Sequence, residues 1–214
     1  MGSGTFNLAG QVEVTRTSIL FGYNAIGDQL AAVQKPTTGQ FSSLNAGDLV
    51  NLRNLFLGTG PGQVNPGGSF TPFQFVVIPQ DGVDINLTSI PLDMTVPVCT
   101  GAGDTGSCRA YAASPIVLTG GPTGTTAALN GTGEAYFAVS PTEQSAVNLR
   151  LSANFAGQTI DQVLQQFFTS TPQQITTGFA ANFQVTSVPE PSALAALGLG
   201  FVSLGIWKKR KAAK

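Results

Sequence analysis

The chain has 214 residues, 26 of them glycine, and only 10% are charged, against a usual share of about a quarter. Before Val188 the five bases Arg16, Lys35, Arg53, Arg109 and Arg150 face ten carboxylates, a net charge of about −5, which argues against nucleic acid or an anionic membrane surface as partner. There is no histidine, so the usual general base and a common metal ligand are missing. A chain that is 42% hydrophobic with so little net charge is not disordered. Residues 1–187 are long enough for one domain with a substantial core.

Met1-Gly2-Ser3-Gly4-Thr5-Phe6-Asn7-Leu8 has neither the basic region nor the apolar core of a secretory signal peptide. Phe6 also stands where a myristoylation pattern requires Ser or Thr. For an exported protein the expectation is a start upstream of Met1, or a leader already removed.

Phe6, Leu8, Gly10, Val12 and Val14 alternate with more polar neighbours, the period of a half-buried strand. The pattern returns at Phe73, Phe75 and Val77 and, after Pro79-Gln80-Asp81-Gly82, at Val83, Ile85 and Leu87. Shorter strands are predicted at Ile116-Val117-Leu118 and from Ala135 to Val139, set off by Gly120-Gly121-Pro122 and Asn130-Gly131-Thr132-Gly133 read as turns. Alternation is clear at Val147, Leu149, Leu151, Ala153 and Phe155. It is clearest at Ile175, Thr177, Phe179, Ala181, Phe183 and Val185. Between these two, Thr159 and Gln162 form a capping box for Ile160, Val163, Leu164, Phe167 and Phe168 at helical spacing, ended by Pro172. Many short strands with Gly/Pro/Asn punctuation predict an all-β fold: an antiparallel β-sandwich or jelly roll over 1–187 with one short amphipathic helix.

Cys99 and Cys108 enclose TGAGDTGS, a glycine-rich loop able to close without strain. A zinc site wants four ligands and a redox pair prefers Cys-x-x-Cys, so the expectation is a structural disulfide in an oxidising compartment. The ten carboxylates are Glu13, Asp28, Asp48, Asp81, Asp84, Asp93, Asp104, Glu134, Glu143 and Asp161. None sits in a catalytic motif, and several occupy turns where Asp is simply a good turn former. Asp81-Gly82-Val83-Asp84 and the loop near Asp104 have carboxylates a calcium ion could use, but the EF-hand pattern is absent and turn chemistry explains both equally well. The expectation is no catalysis, no cofactor and no metal site. The sequons at Asn86 and Asn130 are explained by chance.

The chain ends in Val188-Pro189-Glu190-Pro191-Ser192, sixteen uncharged residues from Ser192 to Trp207, and Lys208-Lys209-Arg210-Lys211. As a helix the sixteen would span about 24 Å at ~1.5 Å per residue, slightly short of a hydrocarbon core of about 30 Å. Snorkelling lysines make up such a gap. Trp207 stands at the junction where an interfacial aromatic belongs, and the basic end (208–214) stays cytoplasmic, which places 1–187 outside. A single transmembrane helix over 192–207 is predicted, and Pro189 and Pro191 hold an extended stretch before it.

These three parts in this order resemble a PEP-CTERM sorting signal. The resemblance implies recognition by exosortase, a membrane enzyme, with transient residence in the inner membrane and processing near Val188–Pro191. Delivery to the outer envelope or exopolysaccharide matrix follows. Thr38–Leu44, Asp84–Ile90, the Cys pair with Ser114-Pro115, and the unit through Phe155 and Phe168 are similar to small PEP-CTERM proteins of cyanobacteria and other environmental bacteria. That likeness implies an all-β extracellular domain and supplies no catalytic residues. Two roles compete: a structural component of the envelope or matrix, and a carbohydrate-binding module with extracellular polysaccharide as partner. With no Trp before the tail, and Tyr23, Tyr111 and Tyr136 the only amphipathic platforms, the residues lean to the first. Two or more exposed aromatics in a row on one sheet face would favour the second.

Overall fold

The computed structural model describes residues 2–22, 29–101, 106–168 and 175–187. In chain order the elements are β1 (Gly4–Val14), β2 (Ser18–Phe21), β3 (Leu30–Gly39), β4 (Leu49–Leu52), β5 (Leu55–Phe56), β6 (Phe73–Ile78), β7 (Val83–Ser89) and β8 (Ser107–Arg109). There follow β9 (Val117–Gly121), β10 (Gly124–Phe137), β11 (Ser140–Ala156), α1 (Ile160–Phe168) and β12 (Ile175–Ser187). Every pairing between these strands is antiparallel. An antiparallel β fold with one short helix is therefore as expected.

The sheet closes on itself. Neighbours run β11-β12-β1-β3-β4-β6-β7-β10, and β10 pairs back onto β11. Two facing sheets were expected; instead eight strands form one hydrogen-bonded circuit, with β9–β8 and β2–β5 as side branches. Closure is possible because β10 is long enough to be shared. Thr132–Phe137 pairs with β7, Gly124–Ala128 pairs with β9, and the opposite edge follows β11. A closed circuit leaves no long unpaired edge to template aggregation.

Asn130–Gly133, read as a turn, lies inside β10. A Cβ at Gly133 would come within 2.2 Å of the Asn86 carbonyl oxygen, and one at Gly131 within 2.9 Å of Leu87 Cδ1. The glycines are there because β7 approaches closely, at a register shift between Thr132 and Gly133.

Alternation sorts the side chains as the strand period requires. On β11, Val147, Leu149, Leu151 and Phe155 are buried while Asn148, Arg150 and Asn154 face out. On β12, Phe179, Ala181, Phe183 and Val185 go in while Asn182, Gln184 and Thr186 are exposed. Phe6 stacks on Phe183 at 4.6 Å, and Phe41 packs on Phe6 at 4.7 Å. A cavity lined by Val12, Phe21, Leu129, Leu151 and Phe179 is about 30 Å³, room for about one water and too apolar to hold it.

Helix α1 begins as predicted. Thr159 N donates to Gln162 Oε1 at 2.9 Å and Gln162 N donates to Thr159 Oγ1 at 3.3 Å, a reciprocal capping box. Ile160, Val163, Leu164 and Phe167 are buried, with Phe167 edge-on to Phe155 near the end of β11.

Candidate functional site

The junction between the body and its tail is built by β12. This strand is paired along both edges, with β1 from Val14 to Gly4 and with β11 from Ala153 to Ser145. Its register ends at Val185 opposite Gly4 and Ser187 opposite Ser145. Asn182 Nδ2 donates to Asn7 Oδ1 at 2.7 Å across the outer face, while Phe179 meets Phe21 edge-on inside. The predicted C-terminal strand is thus a doubly paired wall of the domain, described through Ser187.

Val188, Pro189, Glu190, Pro191, the apolar stretch 192–207 and Lys208, Lys209, Arg210 and Lys211 lie outside the described residues. Among the described residues no helix is long and apolar enough to cross a membrane.

The family comparison falls on this junction. A model of the PEP-CTERM protein-sorting motif matches residues 187–211. The chain carries a PEP-CTERM sorting motif. The match starts on the last residue of β12 and spans both Val188–Pro191 and Lys208–Lys211. The motif implies processing by an exosortase, export, and surface or envelope association with C-terminal anchoring. No curated protein and no solved structure matches the chain.

The second predicted feature, the Cys99–Cys108 bridge, is formed, with Cα atoms 4.9 Å apart. It staples the crossover between β7 and β9, and Arg109 beside it does as much. The buried Arg109 guanidinium donates from Nε to the Val96 carbonyl at 2.9 Å and from Nη1 to the Ala112 carbonyl. Its backbone N donates to Pro97 O at 2.7 Å and its carbonyl accepts from Cys99 N at 2.9 Å. Tyr111 then ties the crossover to the body: its hydroxyl donates to Arg16 O at 3.1 Å and the Arg16 guanidinium lies 5.0 Å from the ring centre. Burial pushes the Tyr111 hydroxyl above a tyrosine's ordinary pKa. Exposed Asp93 is held below the ordinary carboxylate value, chiefly by its hydrogen bond from the Thr95 hydroxyl. Nothing in the residue pattern singled out Arg109, because a lone Arg after a Cys has no signature.

The weighed carboxylates are not brought together. Asp81 sits in the β6–β7 turn and accepts from Ser43 Oγ at 3.0 Å, whereas Asp84 sits within β7 opposite Val77 and Tyr136. Asp28 and Asp104 lie outside the described residues. Glu13 is fully buried on β1 between Val12 and Val14, a burial that the pattern V-E-V did not announce. Among the described residues no three His, Cys, Asp or Glu side chains converge as a metal site would require.

Aromatic platforms are sparse as well. Tyr111 and Tyr136 are half-buried, and Tyr23 lies outside the described residues. Among side chains that are described, Phe56 is the one exposed aromatic.

Proposed function

We propose that this protein is a structural component of the cell envelope or exopolysaccharide matrix, delivered there by its PEP-CTERM signal, with a non-catalytic body. The observation that carries the reading is the junction: the sorting motif begins at Ser187, the last residue of a strand paired along both edges in a closed β circuit. In this reading Val188–Pro191 are the segment an exosortase recognises. The 192–207 stretch is the temporary membrane anchor, and Lys208–Lys211 hold the cytoplasmic end in place.

The body supports a structural role by what it is built from. Its interior cavity lined by Val12, Phe21 and Phe179 is about 30 Å³, the outward-facing residues of β12 are uncharged, and its crossover is covalently stapled. A carbohydrate-binding platform of stacked aromatics draws no support from Phe56, the one exposed aromatic among the described side chains.

The reading is tested by detecting the protein in the native host with and without its exosortase. The expected result is processed protein in the washed extracellular matrix of the parent and unprocessed protein in the membrane of the exosortase-deficient strain. Recovery of the intact chain in the cytoplasm of both strains contradicts it.

A further inference from the structure

Because the circuit is antiparallel throughout, one rim collects the C-terminus of β12, the N-terminus of β1, the C-terminus of β3, the N-terminus of β4, the β6–β7 turn and the β10–β11 hairpin. The turns of this rim are bonded to one another. Ala138 N donates to Gly82 O at 2.9 Å, Gln80 Nε2 to Leu49 O at 2.9 Å, and Ser43 Oγ to Asp81 Oδ1 at 3.0 Å. They therefore form one connected surface.

From Ser187, still paired with Ser145, to Ser192 at the start of the uncharged stretch there are five steps of chain. Fully extended they reach about 17 Å at ~3.4 Å per residue. The opposite rim is a strand length further away, about 30–40 Å for a tilted 13-residue strand. Exposed apolar side chains alone would not choose between the rims, since Phe56, Met94 and Val98 lie away from the signal-bearing one. The short tether does choose.

We propose that the rim carrying the end of β12 is a membrane-contacting surface of the anchored precursor, with the hairpin tip at Val139 as its foremost contact and the phospholipid surface as its partner. This rests on the anchoring reading of the sorting motif. Val139 is 95% exposed at the tip, between Ala138 and Ser140-Pro141, and Leu49 on the same rim is 51% exposed. An apolar side chain on an uncharged tip suits the headgroup–acyl boundary. The elements of this rim carry the acidic Asp48, Asp81 and Glu143, so attraction to anionic lipid is not what holds it there. The far rim, with α1 and the stapled crossover, then faces outward.

The test uses the full chain reconstituted in phosphatidylcholine vesicles that carry lipid spin-labelled at the headgroup. Val139→Cys and Met94→Cys each add one labelling thiol, both at exposed positions, with the native cysteines already bonded. A fluorophore at position 139 should lose most of its emission and one at 94 should keep it. Inserting about 20 Gly/Ser residues after Ser187, with an r.m.s. reach of about 25 Å, should relieve the quenching at 139. Equal quenching at both positions in protein that floats with the vesicles, or stronger quenching at 94, overturns the proposal and leaves the anchor reading intact. A chain that does not float with the vesicles overturns both.

Discussion

The wall β11–β12–β1 and the crossover from Pro91 to Ile116 are held by different physics. In the wall, strands of 17, 13 and 11 residues share long registers, and each buries its inward positions against the next. Among the described residues of the crossover the three-residue β8 is the regular element, and a disulfide, a buried Arg and a Tyr hydroxyl fix the segment. The first is stabilised by area removed from water, the second by single contacts that each act on one point of the chain. Damage to the wall should therefore be global, and damage to the crossover local.

The largest effect should come from the wall. Truncation after Thr171, which deletes β12, should abolish the cooperative thermal transition, whereas truncation after Ser187 should keep it together with a β-type circular dichroism spectrum. Within the strand, Phe183→Ala removes a fully buried ring stacked on Phe6 and should cost about 3–5 kcal/mol in denaturant unfolding. Equal cooperativity of the two truncations would show that β12 is not part of the core.

A smaller effect belongs to the staple. Replacing Cys99 and Cys108 together by Ser reopens a loop of sequence separation 9, a loss of about 2.5–3 kcal/mol on the chain-entropy model. Native-state hydrogen exchange should report the opening around Val96–Ile116 before the wall is affected. Uniform loss of protection across β11, β12 and β1 would erase the distinction between the two regions.

The smallest effect is confined to alkaline pH. Burial raises the Tyr111 pKa, so the neutral hydroxyl is favoured by the fold. The stability it contributes is present below the ordinary tyrosine value and is lost as pH rises through the folded one. In a spectrophotometric titration, Tyr111→Phe should remove the late-ionising component. An unchanged alkaline limb would place Tyr111 in water and undo its contact with Arg16.

The same contrast explains what could be read from the residues. The strands at Phe6–Val14, Phe73–Val77, Val83–Leu87, Val147–Phe155 and Ile175–Val185 and the helix at Thr159–Phe168 were legible because periodicity and capping are local. Closure of the sheet was not, since the β1–β12 and β7–β10 partnerships that complete the circuit depend on register between distant segments. The first half of β10 was hidden by Asn130–Gly133: a glycine needed for close approach to β7 looks identical in sequence to one needed for a turn. Strand β3 was hidden by Lys35-Pro36 and its threonines, which dilute the period. Of the functional features, the Cys pair and the sorting motif were legible because their chemistry is carried by residue type and order. Arg109 and buried Glu13 were not, because their environment is tertiary.

The delivery of the body by its tail is tested most directly by replacing Pro189-Glu190-Pro191 with three alanines and following the full chain in its native host. Fractionation and mass measurement should find the variant unprocessed in the inner membrane, with its body folded as in the parent, while the parent is processed and recovered from the outer envelope or matrix. Processing and delivery of the variant indistinguishable from the parent would contradict the sorting role assigned to Val188–Pro191.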